Sequence, residues 1–223
     1  MKRTRREIAR TFYDNFAENY DQTRYSSDKQ QKADEYAKAV VLDLVGGVEH
    51  KTILDCGCGT GRFTDLFVQQ GAKVVGMDIS ENMVKIAKKK APSAEFIIGD
   101  VFSTPFGETQ FDIVMCSQVL THLHEYKKPL LEMKRVTKEN GIIVIDIRNI
   151  LWPFRPIQIL KQKLEREDEY NPHYTHLRNM KRICNETGLE IEEFRGVGAL
   201  GRIKYIAPTL ILKIRKRHNQ EPE

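Results

Sequence analysis

The sequence predicts an α/β domain in which a mostly parallel sheet carries helices on both faces. Three observations predict it: from Thr52 onward short apolar runs alternate with helical patterns, each run has the length of a strand, and a glycine-rich turn follows the first run. Such alternation is typical of parallel sheets covered on both sides. The chain has 223 residues, of which 40% are hydrophobic and 30% charged, enough for one sizeable core.

The residues before this alternation predict a helical cap. We assign residues 1–48 to the cap and residues 49–223 to the sheet domain. Two polar helices are expected in the cap, with residues 15–21 between them and Asp28 at the start of the second. The glycine pair at 46–47 is a typical helix stop.

Seven strands are expected in the sheet domain, and helical spacing of apolar residues separates the first five. A tight turn at Gly141 precedes the fifth strand. A helix at 177–187, ending at Gly188, precedes the last two strands. The predicted strands cover residues 52–56, 73–77, 96–98, 111–116, 142–147, 189–194 and 208–214.

The alternation breaks after Arg148, and we predict a lid insertion at about residues 149–176. Pro153 and Pro156 remove backbone donors and fix φ there, so we expect neither a helix nor a central strand through them. A charged helical stretch follows at 161–169. The apolar side chains of the insertion fit a lid packed on the domain's own core, which we favour, but also a substrate pocket or a membrane-docking surface: Trp152, Phe154, Ile157, Ile159 and Leu160.

Charge and composition limit the function classes. The net charge of +5 is concentrated near the two ends of the chain, where basic tails are solvated more often than they bind nucleic acid or lipid. The apolar runs are too short to span a bilayer, and no apolar stretch follows the basic start, so we expect a cytoplasmic location.

The four cysteines include no Cys-x-x-Cys pair and predict reduced core thiols: Cys56, Cys58, Cys116 and Cys184.

The turn after the first strand has the pattern Gly-x-Gly-x-Gly, formed by Gly57, Gly59 and Gly61. Glycines admit positive φ and let the backbone approach a ligand closely. The free N–H groups of the helix that follows favour a carboxylate or a phosphate. A dinucleotide fingerprint needs its last glycine one place later, where this chain has Arg62, so NAD is the disfavoured ligand.

Three carboxylates follow or end consecutive strands. Asp55, Asp78 and Asp100 all fall at the carboxyl edge of the predicted sheet, where open α/β sheets bind ligands. An acid at the position of Asp78, about twenty residues past the glycines, accepts hydrogen bonds from ribose hydroxyls in such folds. The acids therefore predict a ligand that contains a ribose.

With the fourth-strand segment 111–120, these motifs give residues 50–147 a clear resemblance to a known family. The segment resembles the class I S-adenosylmethionine-dependent methyltransferases, in particular the small-molecule group (methyltransferase type 11) that includes quinone-biosynthesis enzymes. The resemblance implies a Rossmann-like fold, S-adenosylmethionine as cofactor and S-adenosylhomocysteine as product. It also implies methyl transfer to a small acceptor, which we expect to be hydrophobic or hydroxylated.

The resemblance further implies a set of cofactor-binding residues. Asp55 would lie near the ammonium group, Asp78 at the ribose hydroxyls and Asp100 at the adenine amino group. Tyr20, within the Asn-Tyr-Asp at 19–21, would help to cover the cofactor. The residues implied at the methionine portion are Gly57, Cys58, Gly59, Gly61, Ser117 and Gln118, and those implied at the adenine ring are Ile79, Met83 and Val101.

Candidate catalytic residues follow from the chemistry of methyl transfer, which needs a base only when the nucleophile arrives protonated. His122 follows the fourth strand and matches a position often occupied by His in the family. His173 and Tyr174 lie in the insertion, within an Asn-Pro-His-Tyr stretch. That stretch departs from the Asn-Pro-Pro-Tyr motif of amino-methylating enzymes and is in the wrong place for it. We expect no metal site, because the alternating spacing of His122, His124 and Glu125 is weak evidence for one.

The sequence leaves three alternatives open besides a small-molecule enzyme. In the first alternative the acceptor is RNA or a protein, which the basic ends of the chain would bind. In the second the chain is a non-catalytic subunit that binds the cofactor. In the third the domain keeps the fold but has lost its ligand. The oligomeric state and the methylated element are not specified by the sequence.

Overall fold

The computed structural model describes residues 4–165, 173–198 and 203–217, which form a seven-stranded sheet flanked by helices. The helices are α1 (Arg5–Arg24), α2 (Asp28–Val45), α3 (Arg62–Gln69), α4 (Glu81–Lys90), α5 (Lys127–Val136), α6 (Arg155–Glu165) and α7 (Leu177–Glu186). The strands are β1 (Thr52–Cys56), β2 (Lys73–Asp78), β3 (Glu95–Ile98), β4 (Phe111–Cys116), β5 (Thr137–Arg148), β6 (Leu189–Val197) and β7 (Thr209–Lys216).

The strand order is β3-β2-β1-β4-β5-β7-β6, so the chain reverses direction across the sheet between β3 and β4. Strands β1 to β5 pair in parallel, whereas β7 is antiparallel to both β5 and β6. The predicted seven-stranded, mostly parallel sheet is confirmed. Its switch point lies between β1 and β4, where the first and fourth loops diverge at the carboxyl edge.

The sheet is buried on both faces because the central strands are nearly continuous apolar runs, as in residues 53–54, 113–116 and 142–145. One layer packs Leu54 and Val114 against α5 and α7, and the other packs Ile53 and Met115 against α2 and α3. The four cysteines are free and buried, which agrees with the prediction of core thiols. No helix within the described ranges is long and apolar enough to cross a membrane.

The predicted break at residues 15–21 is wrong, because α1 runs without interruption from Arg5 to Arg24. A capping box at Thr4 begins the helix. Phe12, Phe16 and Tyr20 then contact one another at four-residue spacing, with ring centroids 5.8 and 5.9 Å apart. These contacts stabilise the helix through the polar stretch that the sequence suggested as a linker.

The predicted turn at Gly141 is also corrected, because β5 begins at Thr137 and bulges over residues 138–141. Phe111 pairs with Thr137 and Ile113 with Ile142, so the pairing passes over these four residues. A Cβ atom on Gly141 would lie 3.0 Å from the Asp112 carbonyl oxygen, so the bulge requires glycine there.

The insertion after β5 begins differently from the prediction. Helix α6 starts at Arg155, and Pro156 is tolerated because it occupies the first turn, where its missing N–H has no helical partner. Residues 166–172 lie outside the described residues, and with them Asn171, Pro172 and the end of the predicted charged helix.

The loop from β3 to β4 is held to α5 by Glu132. Its carboxylate accepts hydrogen bonds from the Thr104 amide and hydroxyl, at 2.7 and 2.8 Å, and from the Arg135 guanidinium at 2.6 and 2.9 Å. The Arg135 hydrogen bonds lower the pKa of Glu132 to about 2. Since Asp100 and Phe102 begin this loop, Glu132 fixes part of the carboxyl edge of the sheet.

We expect Glu132→Gln to lower the free energy of unfolding by about 1–3 kcal/mol near neutral pH, because a charged acceptor becomes neutral in a side chain only 14% exposed. The folded-state pKa of Glu132 is depressed, so its contribution is complete above the unfolded pKa of about 4.3 and is lost as the pH falls toward the folded value. Urea unfolding of both proteins near neutral pH and at about pH 3 measures this. An equal difference at both pH values would contradict the assignment.

Candidate active site

A cavity of about 490 Å³ lies at the carboxyl edge of the sheet, around the switch point between β1 and β4. Helix α1 and the loops that follow β1, β2, β3 and β4 form its wall. Most of the predicted cofactor-binding residues line it: Tyr20, Gly57, Gly59, Asp78, Ile79, Met83, Asp100, Val101, Ser117 and Gln118.

The glycine-rich turn lets two loops meet at this cavity. The φ of Gly57 is 80°, and a Cβ atom there would lie 2.1 Å from Cγ2 of Val119 in the loop after β4. Gly61, with φ of 84°, begins α3 and packs so closely on α4 that a Cβ atom would lie 3.1 Å from Cα of Ala87. Gly57 therefore shapes the cavity, whereas Gly61 lies behind its wall.

Asp78 lines the cavity at the end of β2. Its two carboxylate oxygens accept hydrogen bonds from the Gly59 amide at 2.8 Å and the Ser80 amide at 2.9 Å. Burial raises the pKa of this carboxyl group. Because a carboxylate can accept about four hydrogen bonds, capacity for two ligand hydroxyls remains.

Asp55 and Cys58 are not on the cavity wall, contrary to the positions that the resemblance implied. Asp55 is buried and accepts a hydrogen bond of 2.6 Å from the Thr64 hydroxyl, which ties β1 to α3. Desolvation by burial raises its pKa to about 6. The Cys58 sulfur turns inward, so that a Cβ atom on Gly76 would meet it at 3.2 Å. Both side chains face the protein interior behind the turn.

Asp100 lines the cavity just after the end of β3 and has an ion-pair partner, Arg6, that the sequence did not indicate. Its carboxylate accepts a hydrogen bond from the Phe102 amide at 2.9 Å and pairs with the Arg6 guanidinium at 3.2 Å. The Arg6 guanidinium also lies 4.1 Å above the Phe102 ring. Helix α1 is thereby held to the β3 side of the cavity.

Helix α1 covers the cavity through further contacts along its length. Asp14 accepts a hydrogen bond of 2.6 Å from Ser80, and Asp21 accepts one of 2.7 Å from Thr60. Between them Tyr20 lines the cavity, and burial raises the pKa of its phenol. The cap thus reaches the loops after β1 and β2 with one carboxylate each.

Asp146 on β5 fixes the loop after β4, and sequence reasoning missed it. Its buried carboxylate accepts hydrogen bonds from the Ser117 hydroxyl at 3.1 Å and from the Gln118 backbone and side-chain amides at 2.8 and 2.5 Å. These bonds hold Gln118 at a φ of 60°, unusual for a residue other than glycine. The only available signal was an acid within the last predicted parallel strand.

The Gln118 side chain separates this cavity from a smaller one of about 220 Å³, which it also lines together with Ser117. Two arginines line the smaller cavity. Arg62 pairs with Asp34, whereas Arg24 donates a hydrogen bond of 3.1 Å to the Gln118 side-chain oxygen. Within the described part of the chain, Arg24 forms no ion pair with a carboxylate, although Asp34 and Asp146 line the same cavity.

Of the candidate catalytic residues, only His122 lines the cavity, with its ring 6.1 Å from that of Tyr13. The His173 ring instead lies 4.0 Å from the ring of His124. The Tyr174 ring lies 4.3 Å below the Arg155 guanidinium. His173 and Tyr174 therefore hold the insertion in place and do not reach the cavity wall. In the described ranges no group of three or more metal-binding side chains is assembled.

The chain is similar to several characterised proteins. Residues 54–145 match the family model described as methyltransferase domain. A demethylmenaquinone methyltransferase from Renibacterium salmoninarum is 39% identical over 108 residues, which are 48% of this chain and 46% of that protein. The chain thus spans about half the length of this relative. A malonyl-[acyl-carrier protein] O-methyltransferase from Hamiltonella defensa is 25% identical over 93% of this chain and 90% of that protein.

The fold is shared with solved structures. The magnesium protoporphyrin IX methyltransferase from Synechocystis, solved with bound S-adenosylhomocysteine, superimposes with a TM-score of 0.73. The match covers 94% of this chain and 98% of that protein at 19% sequence identity. The whole architecture, cap included, therefore has a counterpart of known structure.

Proposed function

We propose that this chain, which is similar to class I S-adenosylmethionine-dependent methyltransferases, is such an enzyme and methylates a small molecule that is hydrophobic or hydroxylated. The observation that carries the proposal is the large cavity at the switch point, where Asp78 and the glycine turn meet the loop after β4. The name of one relative supports a small hydrophobic acceptor, because it acts on demethylmenaquinone, and the other relative acts on a small malonyl group carried by acyl-carrier protein. The cytoplasmic location stays a prediction.

The cofactor's adenosine fits the half of the cavity that lies over β2 and β3. Asp78 has two remaining acceptor positions for the ribose hydroxyls, and Asp100 lies at the adenine edge. Ile79 and Met83 supply an apolar surface for the adenine ring. The methionine portion then extends past Gly57 toward the loop after β4.

We assign Arg24 to the methionine carboxylate. Its guanidinium lines the smaller cavity and donates to Gln118, whose side chain forms the wall shared with the larger cavity at the end that the methionine portion would reach. The assignment therefore requires the Gln118 side chain to move aside, and Arg24 forms no ion pair among the described residues. A guanidinium is a strong donor to carboxylates, often through two parallel hydrogen bonds. This assignment concerns the carboxylate only; the ammonium group, at which the resemblance placed Asp55, is a separate contact, and Asp55 does not line the cavity.

The protein contributes alignment and exclusion of water. S-adenosylmethionine supplies a methyl group on a cationic sulfur, which is displaced as a neutral thioether when a nucleophile attacks in line. Helix α1 covers one side of the cavity with Tyr13 and Tyr20, which limits the access of water from that side. His122 is our candidate base for an acceptor that arrives protonated, because it alone of the predicted bases lines the cavity.

The two cofactor contacts can be separated with two ligands. S-adenosylhomocysteine has the methionine carboxylate, whereas 5′-methylthioadenosine lacks it. We expect Asp78→Ala to weaken binding of both ligands by about tenfold to a hundredfold, because charged hydrogen bonds to the ribose are lost. We expect Arg24→Met to weaken S-adenosylhomocysteine by about tenfold and to leave 5′-methylthioadenosine unchanged. Calorimetric titration measures all four affinities.

The matched control is Arg10→Met, which removes an arginine from the same helix at a position 55% exposed and away from the cavity. Its affinities for both ligands should equal those of the wild type. Equal losses for both ligands in Arg24→Met would contradict the carboxylate assignment. Unchanged affinities in a folded Asp78→Ala protein would contradict the cofactor site itself.

The acceptor class is tested by following the transferred group. Incubation with S-adenosylmethionine labelled in its methyl group, in a fractionated cell extract, should put label into small molecules that organic solvent extracts. Label in RNA or in protein would overturn the acceptor class while keeping methyl transfer. Absence of label in any fraction, with S-adenosylhomocysteine still bound, would favour the non-catalytic subunit.

A further inference from the structure

The described residues expose large apolar side chains mainly on one surface. Two segments contribute most of them: the start of the insertion after β5, and the turn before β7. We call this surface the apolar platform. Its most exposed side chains, between 48% and 65% accessible, are Leu151, Phe154, Ile157, Leu160, Ile203 and Tyr205.

Hydrogen bonds join the two segments into one surface. The Asn149 side-chain amide donates to the carbonyl oxygens of Tyr205 and Ala207, at 2.8 and 3.0 Å. Arg155 donates to the carbonyl oxygen of Pro208 at 2.7 Å. These bonds reach from the end of β5 to the residues just before β7, so the apolar side chains on both sides are held next to each other.

The first half of helix α6 buries a charged side chain and exposes apolar ones. Arg155 is 3% exposed and bonds to main-chain oxygens beneath the helix, whereas Ile157 on the same helix is 65% exposed. A surface helix of a globular protein normally buries its apolar face and exposes its charged one. The orientation is fixed by buried hydrogen bonds, so the outward apolar face is built into the fold.

The charge of the platform's two segments has one sign. Residues 147–164 include four basic and no acidic residues, and residues 194–212 include three basic and no acidic residues. Acidic residues adjoin both segments, at Glu165 and Glu193. Of the seven basic residues, Arg155 is buried and Arg195 pairs with Glu193 and Asp43, so the remaining positive charge comes from the other five. A second copy of the chain seated on the platform would bring like charges together, which is unfavourable. An anionic partner with an apolar interior complements both features.

We propose that the apolar platform docks on the surface of a lipid bilayer that contains anionic headgroups. Aliphatic and aromatic side chains enter the headgroup boundary, while the net positive charge of the two segments attracts the anionic headgroups. Trp152 and Tyr205, at the platform, are residue types that favour this boundary. The sequence had favoured packing on the domain's own core, and the exposure of Phe154, Ile157 and Leu160 excludes that interpretation for these side chains.

Docking would also select the acceptor, a consequence that rests on the proposed function. The carboxyl end of β5 and the start of β7 lie at the same edge of the sheet as the cavity. The His173 amide donates to the carbonyl oxygen of Thr121, next to His122 on the cavity wall. The platform and the cavity are therefore joined through the insertion, and an acceptor dissolved in the bilayer would enter from the docked side.

Flotation with vesicles tests the docking. The wild type should float with vesicles of phosphatidylcholine that contain about a third phosphatidylglycerol, float less as salt is raised, and bind pure phosphatidylcholine weakly. The double variant Phe154→Ser with Ile157→Ser should lower vesicle partition by about tenfold or more. The control Leu131→Ser changes a side chain 42% exposed on α5 and should partition like the wild type.

Calorimetry with S-adenosylhomocysteine on the same variants keeps the two proposals apart. Retained binding of this ligand by the double variant shows that the fold and the cofactor site are intact, and the loss of partition then belongs to the platform. No partition of the wild type, or equal partition of wild type and double variant, would overturn the docking proposal. A wild-type dimer in light scattering that the double variant abolishes would replace the bilayer by a second copy.

Discussion

The close approach of two loops, one after β1 and one after β4, is the constraint on which the site depends. The absence of a Cβ atom at Gly57 lets Val119 come into contact with the turn, and Asp146 holds Gln118 in a left-handed conformation beside it. Both loops begin at the switch point, so the chain diverges there and leaves a cavity between them. The parallel sheet supplies the rigid edge from which each loop starts.

Helix α1 completes the cavity with ionic and polar contacts. Arg6, Asp14, Asp21 and Arg24 each reach a different loop, so the helix is held along its length. Tyr13 and Tyr20, which lie between them, line the cavity. These ionic and polar contacts are partly exposed, and exposed ion pairs such as Arg6–Asp100 contribute little individually. A cover of this kind can stay closed during chemistry and still be displaced at modest cost for exchange of the cofactor.

The sheet was predictable from the spacing of apolar residues along the chain, and the ligand-binding edge was predictable from the acidic residues at the ends of the strands. Apolar runs of strand length indicated all seven strands. The position of Asp78 at the end of β2 indicated that it lines the cavity. Contacts between residues distant in sequence were not predictable: Arg24 meets Gln118 across 94 positions. Asp55 was assigned to the ligand because its strand ends at the right edge, but the Thr64 hydroxyl turns it inward. The exposure of the apolar residues of α6 could not be predicted for a similar reason. It depends on the burial of Arg155 against main-chain oxygens such as that of Pro208, and the spacing of residues along the chain does not indicate such contacts.

The most direct test of the account is calorimetric titration of the wild-type chain with S-adenosylhomocysteine, with NAD as the comparison ligand. The cavity, the glycine turn with Arg62 in the place of a third dinucleotide glycine, and Asp78 at the ribose position predict micromolar binding of S-adenosylhomocysteine at one site and no binding of NAD. Binding of NAD, or failure to bind S-adenosylhomocysteine, would contradict the central claim.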